Sequence, residues 1–158
     1  LRLHNINPET EMINKDKLQA TGSVNIVVRG EDGNVTQDFT IPNLVVDTGL
    51  DYIASRMKDA TATAMTHMAV GSGTTAAAAG QTALVTQVAR VALTSSTVTG
   101  ESIAYVASYA AGTGTGALTE AAILNAASSG TMLCRTVFSV INKGAGDTMT
   151  VTWTITIS

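Results

Sequence analysis

The last ten residues of the chain alternate strictly between threonine and an apolar residue. From Thr148 to Ile157 the even-numbered positions are all Thr, and the odd-numbered positions are Met149, Val151, Trp153, Ile155 and Ile157. Side chains alternate between two faces in a β-strand, and Thr is β-branched, so it favours a strand even where it meets water. The pattern therefore predicts a terminal strand with one buried face. A slip of one residue would bury the threonines, so the register should be fixed.

The threonine side of this strand has two interpretations. It is either a solvated outer face or a row of hydroxyls that forms hydrogen bonds across an interface. Charged residues make up only 13% of the chain, about half of the usual share, so little charge opposes association. The predicted interface residues on this strand are Thr150, Thr152 and Thr154.

Short apolar segments separated by Gly-rich turns recur through most of the chain. Val24, Ile26 and Val28 share one face of a first strand, and an Asp-Gly turn leads to a second strand over residues 35–41. Further strands are predicted over residues 65–70, 88–98, 102–109, 118–124 and 132–142. This spacing predicts a mainly β fold, an antiparallel β-sandwich of jelly-roll-like type, as a single domain over residues 18–158.

One short α-helix is predicted after Pro42. Asp47 or Thr48 is suited to cap it, because both side chains can accept a hydrogen bond from a free backbone N–H. The apolar residues that recur at helical spacing are Leu50, Ile53, Ala54 and Met57.

Residues 1–17 are predicted to form an extended N-terminal arm. The start of this segment has no period and contains Pro8, which breaks helices. The arm is either an extension that folds against a neighbour or a product of the chosen gene start, since Met12 would also serve as a translation start. The predicted interface residues in the arm are Leu1, Arg2, Leu3, His4 and Ile6.

The segment Val70–Ala76 has a G-x-G-x-x-A pattern after a predicted strand, as in dinucleotide-binding loops. The acidic residue expected about 20 positions later is missing, and no lysine follows the glycines. His67 lies within a predicted strand, and no nucleophile motif accompanies it. We therefore expect no enzymatic activity, no catalytic residues, no cofactor and no metal.

The remaining ionisable residues favour structural roles. Glu120 lies in an apolar segment and could pair with Arg90 or Arg135, as a structural ion pair or as a contact between subunits. Cys134 is the only cysteine, which excludes an internal disulfide.

The charge and hydropathy patterns exclude two classes of partner. A net charge of −3 with scattered basic residues argues against nucleic acid, and no apolar stretch approaches the ~20 residues that span a bilayer. We expect neither a nucleic acid nor a membrane as a partner.

Four segments, residues 41–56, 68–76, 118–125 and 135–143, resemble in this order small structural proteins of tailed-bacteriophage virions. The resemblance covers residues 12–158 and implies a non-enzymatic virion component with a β-sandwich fold, assembled in the host cytoplasm. One placement is a capsid decoration (cement) protein that stabilises the shell as a homo-oligomer, with a trimer favoured, bound to the major capsid protein or other virion proteins. The alternative is a tail-fibre or collar/neck attachment protein. The lack of fibrous repeats and the end of the chain after a strand favour decoration.

Overall fold

A computed structural model describes residues 18–58 and 63–158, which form ten strands and one helix. The elements are β1 (Ala20–Arg29), β2 (Val35–Pro42), β3 (Leu44–Val45), α1 (Asp47–Arg56), β4 (His67–Gly71), β5 (Gln87–Ala92), β6 (Ser95–Thr99), β7 (Ser102–Tyr109), β8 (Gly116–Leu124), β9 (Met132–Lys143) and β10 (Thr148–Ile157). The predicted arm, with Leu1, Arg2, Leu3, His4 and Ile6, lies outside the described residues.

The strands form two five-stranded sheets that pack face to face. Sheet A has the strand order β2-β1-β10-β7-β6, and sheet B has the order β3-β9-β8-β4-β5. All strand pairs are antiparallel. The predicted antiparallel β-sandwich with one short α-helix is therefore confirmed.

The core contains side chains from both sheets. Trp153 lies on the central strand of sheet A, with Val24 and Tyr105 as its register partners, and it is fully buried. Sheet B contributes Met68, Ile123 and Ile141 to the same cluster. In sheet A the buried inward residues alternate with more exposed outward ones, whereas sheet B is buried on both sides, with a second apolar cluster on its outer side.

The alternation predicted for the terminal strand is confirmed. Met149, Val151, Trp153 and Ile155 are at most 2% exposed, whereas the threonines between them are half-buried or exposed. The strand β10 occupies Thr148–Ile157, as its sequence pattern predicts.

The helix is confirmed, but its predicted contact face is only partly right, because Ile53 alone of the four predicted residues packs against the core. Leu50 and Met57 are 47% and 83% exposed, and Ala54 is also exposed. Gly49 lies directly against β9, where its position leaves no room for a side chain beside the Leu133 carbonyl. Glycine has no side chain, so the spacing of apolar residues along the helix gives no sign of this close backbone contact with β9.

The predicted cap of this helix is wrong. The residue at the N-cap position is Val46, which makes no side-chain hydrogen bond, and Asp47 is the first helical residue. Thr48 instead donates a hydrogen bond from its hydroxyl to the Met132 carbonyl at 2.9 Å. Asp47 still favours the helix, because a negative charge in the first turn complements the helix dipole.

The single strand predicted over residues 88–98 is two strands in different sheets. The chain leaves sheet B after Ala92 and enters sheet A at Ser95. The backbone N–H of Leu93 donates to the Thr66 carbonyl, and the N–H of Thr94 donates to Val106 on β7. Residues 91–98 are apolar or hydroxyl-bearing throughout, so the sequence shows no break where the chain changes sheets.

Candidate docking surface

The outer face of sheet A is covered mainly by small polar side chains, and we call it the hydroxyl face. These residues alternate along their strands with the core residues of the sheet. The hydroxyl face consists of Ser23, Asn25, Thr40, Ser95, Thr97, Thr99, Ser102, Ser108, Thr150, Thr152, Thr154 and Thr156, with Val27, Ala104 and Val106 between them.

The predicted interface residues Thr150, Thr152 and Thr154 lie together at the centre of this face, because β10 is the middle strand of sheet A. Thr152 has Asn25 as its register partner on one side and Val106 on the other. Thr150 is exposed, and the other two are half-buried between neighbouring strands.

Hydrogen bonds between side chains connect neighbouring strands across the hydroxyl face. The Asn25 amide donates to the Asp38 carboxylate at 2.9 Å and to the Thr40 hydroxyl at 3.2 Å. The hydroxyls of Ser102 and Thr156 lie 2.7 Å apart. These contacts hold side chains in fixed positions before any partner binds, so less conformational entropy is lost on binding.

The hydroxyl face carries little charge. Among the outward residues of the described strands of sheet A, the charged side chains are Asp38, on the edge strand β2, and Arg29, at the end of β1. Hydroxyl groups can both donate and accept hydrogen bonds, and burying them costs far less than burying charges. The surface is therefore suited to contact with another protein.

A second polar cluster lies on sheet B, under the loop that joins β4 to β5. The Glu120 carboxylate accepts hydrogen bonds from the backbone N–H groups of Gly73, Val85 and Thr86 at 3.0, 3.0 and 2.7 Å. The glycine-rich loop considered above as a dinucleotide motif thus binds a carboxylate of its own chain.

Arg135 is the partner of Glu120. Its guanidinium donates to the Glu120 carboxylate at 2.7 Å, and both side chains are fully buried. It also donates to the Gln81 side chain and to the Thr75 carbonyl, at 2.7 and 2.9 Å. Of the two partners predicted for Glu120, Arg135 is confirmed as a structural ion pair within the chain. Arg90 instead donates to Gln87 and to backbone carbonyls.

The environment of Glu120 favours its charged form. Burial raises the pKa of this carboxyl, but hydrogen bonds from the Thr86 N–H, the Arg135 guanidinium and two further backbone N–H groups outweigh burial and hold the pKa below its ordinary value. Glu120 is therefore a structural anion that fastens the loop over residues 72–86 to sheet B.

The other candidate chemical groups have structural surroundings. The Nδ1 atom of His67 lies 2.8 Å from the hydroxyl of its neighbour Thr66. Cys134 is buried, which raises the pKa of its thiol well above the ordinary value. Residues 18–58 and 63–158 contain no group of three or more side chains able to hold a metal ion.

Within the part of the chain that the structure describes, no helix has the length and apolar character to cross a bilayer.

Comparison with known proteins supplies no relative. No family model, no curated protein and no solved structure matches this chain.

The sequence pattern located only one row of the hydroxyl face. It identified the threonines of β10, but not the contributions of β1, β6 and β7, because it does not show which strands lie beside β10. The Ser-Ser-Thr run at 95–97 was a signal of the same kind, although it lay within a segment predicted as one long strand.

Proposed function

We propose that this chain is a non-enzymatic structural protein of a tailed-bacteriophage virion, and that it decorates the capsid by docking through the hydroxyl face. The observation that carries the proposal is a nearly uncharged outer surface five strands wide, in a chain whose segments resemble small virion proteins. The partner in this proposal is the major capsid protein or another virion protein.

The dimensions of the hydroxyl face suit a contact of this kind. Strands spaced ~4.8 Å apart and rising ~3.3 Å per residue make a surface of roughly 20 by 30 Å. The resulting area of about 600 Å² is three-quarters of the ~800 Å² per partner of a standard protein–protein interface. A surface of short side chains presents few protrusions, which favours contact with another broad protein surface over binding of a small molecule in a cleft.

The arm has a separate role in this proposal. Residues 1–17 would add a contact with a neighbouring subunit through the predicted interface residues Leu1, Arg2, Leu3, His4 and Ile6. Many weak contacts repeated over a shell stabilise the particle, because linked contacts raise the effective concentration of each one.

The first experiment places a charge at the centre of the hydroxyl face. Binding of the purified chain to particles that lack it is measured by co-sedimentation. Thr152→Lys should weaken binding about tenfold or more, since a buried lysine without a partner is costly. Ser128→Lys is the matched control, because Ser128 is exposed in a turn outside sheet A. Circular dichroism verifies that both variants are folded. Equal binding by the two variants would mean that the hydroxyl face is not the contact.

The second experiment locates the chain on the particle. Gold-labelled antibody against this chain is applied to intact virions and imaged by electron microscopy. Label over the shell supports decoration. Label confined to the tail or neck would favour the alternative, a tail-fibre or collar/neck attachment protein, and unlabelled virions would exclude both placements.

A further inference from the structure

The edge strands of the two sheets differ in how they oppose pairing with another strand. Edge strands expose unpaired backbone N–H and C=O groups, and proteins usually protect them with charges, prolines, bulges or short length. In sheet A, β2 carries Asp38, ends at Pro42 and has a register shift against β1. In sheet B, β3 has only two residues, and β5 carries Arg90 and has a register shift against β4.

The fourth edge strand, β6, has no charge, no proline and no bulge, and with five residues it is more than twice as long as β3. It runs in continuous register along β7 from Ser95 to Thr99, and all five of its residues are exposed. It lies within a run of ten uncharged residues, 91–100, between Arg90 and Glu101. Among the residues that the structure describes, no strand pairs with its outer side.

The core-facing side of β6 is also open. Val98 has Ile103 as its register partner, so it lies on the side of sheet A that faces the core, and yet it is 69% exposed. The opposite sheet packs against β7 through its edge strand β5 and leaves β6 projecting. Val98 borders an open apolar groove together with Leu18, Ile103 and Ile157.

We propose that β6 is a self-association site, at which the β6 strands of two copies pair antiparallel across a two-fold axis. This inference specifies the homo-oligomer contact and rests on the proposed function only for its biological role. Backbone edges of identical strands are self-complementary in the antiparallel direction. Most charged edges would bring like charges together in such a pair, whereas β6 has no charge to repel its copy.

The geometry links this contact to the hydroxyl face. Antiparallel strands related by a two-fold axis perpendicular to the sheet keep the same side uppermost. The two five-stranded sheets would become one continuous sheet, with both hydroxyl faces on one side and Thr97 near the junction. Two docking faces held together bind a repetitive shell more tightly than one. A two-fold contact predicts an even-numbered assembly instead of the trimer favoured by the sequence.

The direct test is disulfide trapping in the full chain. Single cysteines replace Ser96, Thr97 or Val98, since the exact register between two copies is one of three neighbouring choices. Cys134 is fully buried and does not compete for oxidation. At least one of the three variants should form a covalent dimer on mild oxidation, and Thr40→Cys, on the other edge strand of sheet A, should not. Equal trapping at Thr40 or none at β6 would overturn the inference.

A second test measures mass without cross-linking. Light scattering over a range of concentrations should give a mass equal to two chains of 16.2 kDa, or to a larger even number of chains. Thr97→Lys should halve the mass, and Thr40→Lys should leave it unchanged, whereas an unaltered mass in Thr97→Lys would contradict β6 pairing. Loss of association on deleting residues 1–17 would identify the arm as the contact and also overturn the inference.

These tests use purified protein without particles, so they can fail independently of the proposed function. A monomeric chain that still binds shells would remove the β6 contact and leave capsid decoration standing. A chain that dimerises through β6 but is absent from virions would leave the β6 contact standing and remove capsid decoration.

Discussion

Arg135 donates two hydrogen bonds to the Glu120 carboxylate, at 3.1 and 2.7 Å, in a position where both side chains are fully buried. The same carboxylate accepts three backbone N–H groups of the loop between β4 and β5. The loop contains the segment Thr-Thr-Ala-Ala-Ala-Ala-Gly, which has few side chains able to hold it in place. The ion pair therefore supplies the anchoring that this low-complexity segment lacks.

Arg135→Met should lower the free energy of unfolding by about 3–5 kcal/mol, because it leaves the Glu120 charge buried without its partner. Urea denaturation monitored by Trp153 fluorescence measures the loss. Arg90→Met is the matched control, since Arg90 is only half-buried and its hydrogen bonds go to Gln87 and to carbonyls near the surface. Equal losses in the two variants would contradict a special role for Arg135.

The stability should fall when the pH is lowered through about 4.5, the ordinary pKa of a glutamate carboxyl. The pKa of Glu120 is lower in the folded chain, so its stabilisation is fully present above that value and is lost as the pH falls through the folded pKa. Glu120→Gln should be less stable near neutral pH and should show a flatter acid slope in thermal melts. Asp32 also has a lowered pKa, so the difference between wild type and variant, and not the slope alone, reports Glu120.

Gly73→Ala should destabilise the loop, since a Cβ atom there would lie 2.5 Å from the Glu120 Oε1 atom and 2.7 Å from the Val85 Cβ atom. We expect a loss of about 1–3 kcal/mol in chemical denaturation. Gly80→Ala, in the same loop, is the control, because nothing lies within 4 Å of the added Cβ. It should be neutral or stabilising by about 0.4–1 kcal/mol. A Gly73 variant as stable as wild type would show that the Glu120 site can shift to admit a methyl group.

Tyr109→Phe should cost about 1–3 kcal/mol, because the Tyr109 hydroxyl donates a hydrogen bond at 2.8 Å to the buried Met68 carbonyl. Removing the hydroxyl leaves that carbonyl without one of its partners. Thermal unfolding by calorimetry measures the change. Tyr52→Phe, in the half-exposed helix, should have a smaller effect, and a reversed order would argue against the hydrogen bond as the cause.

The Cys134 thiol should not react with a disulfide reagent in the folded protein at neutral pH. Its side chain is fully buried, so the reagent cannot reach it. Burial also holds the pKa of the thiol well above the ordinary value, so the reactive thiolate does not form at neutral pH. Absorbance after addition of the reagent should rise only in denaturant, with the same midpoint as unfolding. Rapid reaction without denaturant would indicate that β9 opens locally.

Much of the fold follows from local patterns in the chain. The boundaries of β7 and β10 and the buried faces of β1 and β10 match the predictions, because a strand with one buried face must alternate every second residue. The turn between β1 and β2 agrees as well, because Gly33 adopts the positive φ that an Asp-Gly hairpin needs.

The sequence by itself therefore determined the fold class and the two-sided character of the terminal strand, since periodicity is a property of neighbours along the chain. Only the tertiary structure decided which strands surround β10, where the chain crosses between sheets at Leu93 and Thr94, and that Gly49 brings α1 onto β9. The choice of Arg135 over Arg90 as the partner of Glu120 was decided in the same way. These outcomes depend on contacts between residues far apart in sequence, and such contacts leave no period along the chain.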